Sequence, residues 1–296
     1  MRPLTPALQA VLPDLVCPIC RSGLRAGTGS VGCAAGHRFD VARQGYLSLL
    51  VGRGSGASGD DAVMVAARRT FLDAGHYAPL TRAVVAAAAA AAVGGAGRRI
   101  VIDVGAGTGH HLAAILDADP AARGLALDAS TPALRRAARA HPRAAAVGTD
   151  VWAGLPVRDG AADVVLDVFS PRHAGEFARV LSPGGRLLVA VPQPSHLVQL
   201  VEAVEMIGVD ADKDRRLEQQ FGERFDVVAR EAVTWQLELT RADAANLVAM
   251  TPSARHVDAD DVTARLAGLP EPLAVDAAVR LIVLRLRRDR LSTALL

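Results

Sequence analysis

The chain has 296 residues, 51% of them hydrophobic and 22% charged, with a formal net charge of +2. This length allows one large domain and a small one, and the balance of 33 basic and 31 acidic residues gives no overall field indicating a nucleic-acid partner. The most apolar stretch, residues 83–93, is well short of the roughly 20 residues of a membrane span, and an N-terminus with prolines at positions 3, 6 and 13 makes a poor signal peptide. We therefore expect a cytoplasmic protein with no membrane partner.

The first motif is a cluster of all three cysteines with one histidine. Cys17 and Cys20 form a C-x2-C pair, and Cys33 and His37 follow with C-x3-H spacing. Thiolates and a neutral imidazole suit zinc, and four such ligands leave no open coordination position. An odd number of cysteines with a C-x-x-C pair also argues against a disulfide framework. The spacing predicts a structural zinc site; the alternative is a set of buried or idle thiols.

The predicted elements change character along the chain. Residues 14–50 read as a small zinc ribbon with short strands, and residues 52–59 as a glycine-rich linker. A helix that Asp60 or Asp61 can cap follows, then a second helix that begins after Pro79 and ends at Val93 before Gly94 and Gly95. Up to this point the pattern predicts a small metal module joined by a flexible segment to a larger body.

From residue 99, buried strands alternate with helices. We predict strands at residues 100–104, 124–128, 145–150, 163–169 and 186–191, and helices at 110–117, 132–141 and 173–181. Alternation at this spacing predicts a doubly wound α/β sheet. Two later apolar runs, 233–239 and 278–286, would add antiparallel edge strands, with helices at 196–207 and 242–250.

Candidate ligand-binding residues follow the first three of these strands. Asp103 precedes the run Gly105-Ala106-Gly107-Thr108-Gly109, whose glycines let backbone N–H groups approach a ligand closely. Position 110 is His, so the dinucleotide pattern G-x-G-x-x-G is not met. Asp128 ends the next strand, where a carboxylate can accept hydrogen bonds from both ribose hydroxyls of a bound nucleoside. Asp150 ends the third strand beside Val151 and Trp152, which offer an edge and a face for adenine.

These motifs and the turn Leu181-Ser182-Pro183-Gly184-Gly185-Arg186-Leu187 resemble the class I S-adenosylmethionine-dependent methyltransferases. With the zinc spacing, the chain resembles one family, the 23S ribosomal RNA guanine-N1 methyltransferases, particularly the branch associated with resistance to tylosin and related macrolides. The matching segments, which spread over about residues 14 to 290, are 17–20, 36–46, 68–80, 107–112, 135–143 and 250–252.

The resemblance implies a Rossmann-like methyltransferase domain that uses S-adenosylmethionine to methylate N1 of a guanine in 23S rRNA, in a hairpin lining the peptide exit tunnel. It implies a zinc-binding RNA-recognition module over residues 1–51, a linker and helices over 52–98 and the catalytic domain over 99–296. The partner would be 23S rRNA rather than DNA, and a homodimer is left open. The residues carried over are Cys17, Cys20, Cys33 and His37 for a structural Zn²⁺, and Asp128 with the loop 105–109 for the cofactor.

The site residues beyond those motifs are predicted from position. The cofactor contacts we expect are Asp103, Gly105, Gly107, Gly109, His111, Asp128, Asp150, Val151 and Tyr77. His110 is an alternative to His111, and His76 either faces the cofactor or caps a helix. Asp167, near the end of the fourth strand, is a candidate to remove the N1 proton, or else it caps a buried strand.

Candidates for gripping RNA are aromatic and basic side chains. Phe169, Tyr46, Tyr77 and Trp152 could each stack on a base or simply pack. The arginines considered are 2, 21, 25, 38, 43, 53, 68, 69, 135, 136, 139 and 143, where the alternative is a solvated surface. Two other functions remain open: a small-molecule methyltransferase that has kept its zinc module, and a non-catalytic ribosome-binding protein.

Overall fold

The computed structural model describes residues 4–52, 59–91, 99–206, 208 and 219–287. Its helices are α1 (Pro6–Val11), α2 (Ala62–Asp73), α3 (Ala78–Ala90), α4 (His110–Ala118), α5 (Thr131–Ala137), α6 (Ala174–Val180), α7 (Val198–Val204), α8 (Arg241–Ala249) and α9 (Ala259–Ala267). Its strands are β1 (Leu24–Ala26), β2 (Ser30–Cys33), β3 (Arg38–Asp40), β4 (Leu47–Ser48), β5 (Arg99–Val104), β6 (Ala122–Asp128), β7 (Ala144–Gly148), β8 (Ala162–Val168), β9 (Leu181–Pro192), β10 (Phe225–Leu239) and β11 (Leu273–Leu286).

The core of the molecule is an eight-stranded sheet in the order β10-β11-β9-β8-β5-β6-β7-β4. Strands β4 to β9 of this sheet run parallel, whereas β11 is antiparallel to β9 and β10 is antiparallel to β11. Apolar side chains on both faces are buried, as expected for parallel strands covered by helices. The predicted α/β class is confirmed.

Several boundaries differ from the sequence-based prediction. Strand β11 lies inside the sheet rather than at its edge, because β10 covers it along most of its length. Helices α1 and α9 were not predicted, although Thr5 before Pro6 and Asp258 before two acidic residues are helix-start signals. Asp61, one of the two candidates, caps α2 by accepting from Val63 N and Met64 N at 2.8 and 2.9 Å. Gly94 and Gly95 lie outside the described residues.

The N-terminal segment is divided between two environments. Strands β1 to β3 form a separate three-stranded sheet that carries the cysteine cluster. Leu8, Leu15 and Leu47, in contrast, are fully buried in the same hydrophobic cluster as Leu125 and Val147 of the large sheet. Residues on both sides of the small sheet thus contribute to the core of the larger body, and the domain division at residue 51 stays a prediction.

Within the described ranges, no helix combines the length and the apolar character that crossing a bilayer requires.

Candidate active site and zinc centre

A cleft of about 930 Å³ opens at the carboxyl ends of the parallel strands. It lies where β5 pairs with β6 on one side and β8 on the other, which is the point at which the strand order reverses. Open α/β sheets bind ligands at such a switch point. Residues following β5, β6, β7, β8 and β9 all line it, so the topology itself gathers segments that are distant in sequence.

The glycine loop forms the floor of one half of the cleft. Gly105, Gly107 and Gly109 all have positive φ, and Gly105 N and Ala106 N donate to Leu127 O at 2.8 and 3.1 Å. A Cβ on Gly105 would lie 2.5 Å from Ser170 Cβ. Only glycine satisfies both the left-handed backbone and this close approach. The structure therefore places Gly105 and Gly107 at the cleft surface, whereas Gly109 is not among the lining residues, and a Cβ there would meet Ala137 and Ala140.

Two of the predicted acidic residues lie next to this loop. Asp128, at the end of β6, accepts from Gly107 N and Ser130 N, each at 2.8 Å. Burial raises the pKa of Asp128, while these two N–H groups act in the opposite direction. Asp150 caps the short helix that contains Val151 and Trp152, and accepts from Trp152 N at 3.0 Å. Four residues predicted to hold a nucleoside line the cleft after the adjacent strands β6 and β7: Asp128, Asp150, Val151 and Trp152.

Asp103 is the most perturbed carboxyl group of the cleft. Its side chain is almost completely buried near the end of β5. Burial raises the pKa of Asp103 to about 8, and the neighbouring Asp128 and Asp167 carboxylates contribute to the rise. A cationic ligand would relieve this repulsion, so the acidic half of the cleft is suited to a positively charged cofactor.

Both histidines after the glycine loop line the cleft. His111 Nδ1 lies 3.2 Å from Thr81 Oγ1, and burial together with His110 lowers the pKa of His111 to about 3. Burial also lowers the pKa of His110. Both are therefore neutral at neutral pH and add no positive charge to this side of the cleft.

The other half of the cleft is aromatic. The Tyr77 and Phe169 rings lie 6.3 Å apart, and the His196 ring is 6.1 Å from Phe169 with 29° between their planes. Phe169 is 41% exposed and has a left-handed φ of 55°, which is strained for a bulky residue. His196 was not among the residues predicted from the sequence. Its position a few residues after the carboxyl end of β9 could have identified it.

Asp167 does not reach the cleft surface. Its side chain is wholly buried, and Oδ1 lies 3.3 Å from Ser170 N and 3.0 Å from Ser170 Oγ. Ser170 Oγ also donates to Val104 O at 2.6 Å, and Arg172 Nε lies 3.8 Å from Asp167 Oδ2. These contacts fix the turn that presents Phe169. The role of Asp167 as a proton acceptor stays a sequence-based prediction.

Other candidates lie away from the cleft. His76 packs against Phe71 and lies 3.3 Å from Asp243 Oδ1, and it is not among the residues lining the cleft. Tyr46 packs on the hydrophobic core. Arg143 donates to the carbonyl groups of Asp119 and Ala122 at 2.8 and 2.5 Å, which makes it a structural residue rather than a free RNA contact.

Helix α2 covers the half of the cleft that contains the glycine loop, Asp103, Asp128 and Asp150, here called the cofactor half. Arg68 contacts the Asp60 carboxylate and donates to Met250 O at 2.7 Å. Its guanidinium would lie 3.3 Å from a Cβ on Gly107, so it sits directly above the glycine loop. Ser130 Oγ donates to Asp60 O at 2.6 Å. Arg68, considered as an RNA contact, therefore serves to close the cleft from above.

The predicted zinc ligands converge on one point. The ligand atoms of Cys17, Cys20, Cys33 and His37 all lie within 4.8 Å of one another. His37 Nδ1 is 3.5 Å from Cys17 Sγ and 3.3 Å from Cys33 Sγ, and Cys20 Sγ is 3.6 Å from Cys33 Sγ. Tetrahedral zinc with bonds of about 2.3 Å to sulfur separates its ligand atoms by about 3.8 Å. The Ser22 hydroxyl lowers the pKa of Cys20 to about 7, which favours the thiolate. The four residues fit a structural zinc ion.

The loop of residues 154–158 connects the zinc-binding segment to the cleft. Arg21, in the turn between the cysteines, donates to Leu155 O and Val157 O at 2.9 and 3.1 Å. Val16 N donates to Pro156 O at 3.0 Å. This loop begins directly after the helix that carries Trp152, so the zinc centre braces the rim of the cofactor half.

Comparison with known proteins gives two family matches. Residues 15–51 match the model described as "RlmA, N-terminal", and residues 101–185 match the model described as "Methyltransferase domain". Among solved structures, a SAM-dependent methyltransferase from Geobacter sulfurreducens in complex with S-adenosyl-L-homocysteine has a TM-score of 0.43 and 18% identity, covering 69% of this chain and 90% of that one.

Curated relatives are much more similar. A "Putative 23S rRNA (guanine-N(1)-)-methyltransferase" from Micromonospora griseorubida is 48% identical over 92% of this chain and 97% of its own length. The "23S rRNA (guanine(748)-N(1))-methyltransferase" of Streptomyces fradiae is 46% identical over 93% of this chain and 98% of its own length. A relative from Bacillus subtilis with a similar name is 30% identical over 76% of this chain and 84% of its own length. With the zinc ligands and the methyltransferase cleft in one molecule, the chain belongs to the 23S rRNA (guanine-N1-)-methyltransferase family.

Proposed function

We propose that this protein transfers a methyl group from S-adenosylmethionine to N1 of a guanine in 23S rRNA. One chain carries both a Cys3His zinc centre and a cleft lined by the G-x-G-x-G loop. The same chain is 46–48% identical to two 23S rRNA (guanine-N1)-methyltransferase relatives over nearly their whole length, and the proposal rests on this combination. The Streptomyces fradiae relative is named for guanine 748. We propose the equivalent nucleotide here, and resistance to tylosin-type macrolides as the consequence.

We propose a role in cofactor binding for each of the main residues of the cofactor half. S-adenosylmethionine supplies an electrophilic methyl carbon on a cationic sulfur. Asp128 is positioned to accept the ribose hydroxyls, and Asp150 with Val151 to hold the adenine. Asp103 and the glycine loop face the remaining, cationic part, because positive charge there offsets the mutual repulsion of the buried carboxyl groups. His111, which is neutral at neutral pH, also lines this half of the cleft.

The target base must leave any base pair before it reacts. N1 of guanine faces the partner base in a duplex and carries a proton, so the enzyme has to take an unpaired or extruded guanine. In the reaction N1 loses its proton and forms the new bond to the methyl carbon as the carbon–sulfur bond breaks, which releases S-adenosylhomocysteine and one proton. Orientation of N1 in line with that bond supplies much of the rate.

The surface proposed to hold RNA combines the zinc module with α5. Arg25, Arg38 and Arg43 of the module are exposed, as are Arg135, Arg136 and Arg139 around α5. Trp152, which is 63% exposed and lines the cleft, offers a stacking face for a base. Phosphate contacts by arginine would make binding weaken steeply with salt.

The decisive experiment uses unmodified 23S RNA and labelled S-adenosylmethionine. Methylation of N1 blocks Watson–Crick pairing, so reverse transcriptase should stop at the modified guanine of the exit-tunnel hairpin. DNA of the same hairpin sequence serves as the matched control and should take up no label. Label that appears only in small molecules would contradict the proposal and favour a small-molecule methyltransferase. Binding to RNA without any methyl transfer would contradict it and favour a non-catalytic ribosome-binding protein.

We propose that the enzyme acts in the cytoplasm, where the ribosome is assembled, and that it recognises RNA as a homodimer, which light scattering of the purified protein tests. Expression in a macrolide-sensitive host should raise the inhibitory concentration of tylosin. An Asp128→Ala variant expressed at the same level should leave the host sensitive.

A further inference from the structure

The aromatic half of the cleft contains a hydrogen-bonded pair, Tyr77 and His196, to which the roles proposed above for cofactor binding assign nothing. Tyr77 Oη lies 3.2 Å from His196 Nε2, and both side chains are buried while lining the cleft. Phe71 and Trp235 pack edge-on against the Tyr77 ring at 5.3 Å each, so the phenol is held in one orientation. The pair lies beside β8 and β9, on the side of β5 opposite to Asp128 and Asp150.

The backbone fixes where His196 carries its proton. Ala278 N donates to His196 Nδ1 at 3.1 Å. A backbone amide is always the donor, so Nδ1 is the acceptor nitrogen, and a neutral imidazole then has its proton on Nε2. Nε2–H therefore donates to Tyr77 Oη. The direction of this hydrogen bond follows from geometry alone.

The hydroxyl proton of Tyr77 is therefore not used in the hydrogen bond to His196. Tyr77 Oη accepts from His196, so its own hydrogen is available for a second acceptor, and within the described ranges the protein provides none. Burial raises the pKa of Tyr77 above its ordinary value, so the hydroxyl keeps this proton throughout the neutral range. An oriented donor of this kind, facing a cleft, is suited to an acceptor on a ligand.

The Phe169 ring supplies the second half of a binding slot. Its left-handed backbone is held by Ser170, through contacts to Asp167 and Val104, and this turn exposes the ring to the cleft. An aromatic face beside an oriented donor is the arrangement that recognises a flat heterocycle with a carbonyl group at its edge.

We infer that Tyr77, oriented by His196, donates a hydrogen bond to O6 of the target guanine while the base stacks on Phe169. This inference rests on the proposed function and assigns Tyr77 to the RNA base instead of the cofactor. As N1 loses its proton, the negative charge spreads onto O6. A donor already aimed at O6 stabilises this charge, lowers the effective pKa of N1 and makes it a nucleophile, in the manner of an oxyanion hole. Tyr77 is then a catalytic residue and His196 a positioning residue.

The test removes only the hydroxyl. The chain has two tyrosines, which provides a matched control: Tyr77→Phe against Tyr46→Phe, whose side chain packs on the core away from the cleft. We expect Tyr77→Phe to lower kcat for RNA methylation about tenfold to hundredfold, with the Kd for S-adenosylhomocysteine changed less than about twofold. Its kcat should keep rising at alkaline pH where the wild type has levelled, because N1 then needs a higher pH to lose its proton. Tyr46→Phe should match the wild type.

Two further variants separate positioning from packing. Phe169→Leu should raise KM for RNA more than it lowers kcat, and His196→Gln should shift the pH profile in the same direction as Tyr77→Phe. An unchanged kcat and pH profile in Tyr77→Phe would overturn the inference, as would a loss explained entirely by weaker S-adenosylhomocysteine binding. If the wild type itself gives no N1 methylation, the proposed function has failed and the inference falls with it. A wild type that methylates N1 beside an equally active Tyr77→Phe refutes the inference alone.

Discussion

At the scale of single residues, the buried carboxyl group of Asp103 lines the cleft and has a strongly raised pKa, which makes its effect on stability depend on pH. A carboxyl group with a pKa of about 8 binds a proton over a range in which an ordinary aspartate is ionised. Between about pH 4 and pH 8 the folded protein therefore holds one proton more than the unfolded chain at this position. Unfolding releases that proton, so the contribution of Asp103 to the free energy of unfolding falls as the pH rises through this window.

Replacing Asp103 by Asn should therefore stabilise the protein at alkaline pH. We expect the free energy of unfolding of Asp103→Asn to exceed that of the wild type by on the order of 2 kcal/mol at pH 9, with little difference at pH 4. At pH 9, where the wild-type carboxyl group is ionised, S-adenosylmethionine binding should weaken at least tenfold, since the amide offers no charge to the cationic cofactor. Denaturant melts and calorimetric titration across pH measure both quantities. Asp40→Asn, an exposed change on β3, is the control, and an Asp103→Asn that melts like the wild type at pH 9 would refute the ionisation argument.

At the scale of elements, the loop after β5 and the turn after β8 depend on each other. Gly105 has a φ of 69°, and an added Cβ would collide with the Ser170 side chain. Ser170 in turn holds the backbone that exposes Phe169. A methyl group at position 105 should therefore disturb both halves of the cleft at once.

We expect Gly105→Ala to lower stability by on the order of 2 kcal/mol and to weaken S-adenosylhomocysteine binding more than tenfold. Gly184→Ala is the matched control, because a Cβ there meets nothing within 4 Å. Thermal melts and titration of the two variants give the comparison. Equal behaviour of the two alanine variants would show that the contact with Ser170 does not constrain the loop.

How well an element could be predicted depended on whether its signals are local. Strands β5, β6 and β8 are short apolar runs bounded by glycines or polar residues, and the zinc ligands have a fixed spacing, so both could be predicted. The residues of the aromatic half could not be paired in advance, because Tyr77 and His196 are 119 positions apart and meet only through the sheet topology. Arg143 looked like one of several surface arginines, yet its role comes from the carbonyl groups that surround it once α4 and β6 are packed.

At the scale of the whole molecule, the zinc centre and the methyltransferase cleft are separate sites in one continuous body. The zinc-binding segment lies between α1 and β4, both of which pack into the large sheet. Metal removal should therefore loosen the small sheet while the cofactor cleft stays assembled. This shared core was not apparent from the sequence, because the contacts join residues 4–15 to strands more than a hundred positions away.

We expect the double variant Cys20→Ser, Cys33→Ser to lose zinc, as metal analysis will show, and to lose RNA methylation at least tenfold. Binding of S-adenosylhomocysteine should stay within about threefold of the wild type, because no zinc ligand lines the cleft. Chelation of the wild type followed by re-addition of zinc controls for irreversible damage and should restore activity. Full RNA methylation by a zinc-free protein would refute a role of this centre in holding RNA.

The contact of Arg21 with the loop after Trp152 has a thermodynamic consequence for the catalytic cycle. If RNA is held by the zinc module and the nucleoside beside Trp152, as we propose, the two ligands contact parts of the chain that are joined by the hydrogen bonds of Val16 and Arg21 to residues 155–157. Binding energies coupled through such contacts are reciprocal. Whatever factor bound RNA applies to the affinity for S-adenosylhomocysteine, bound S-adenosylhomocysteine applies the same factor to the affinity for RNA, so any coupling carried by these hydrogen bonds acts equally on both products.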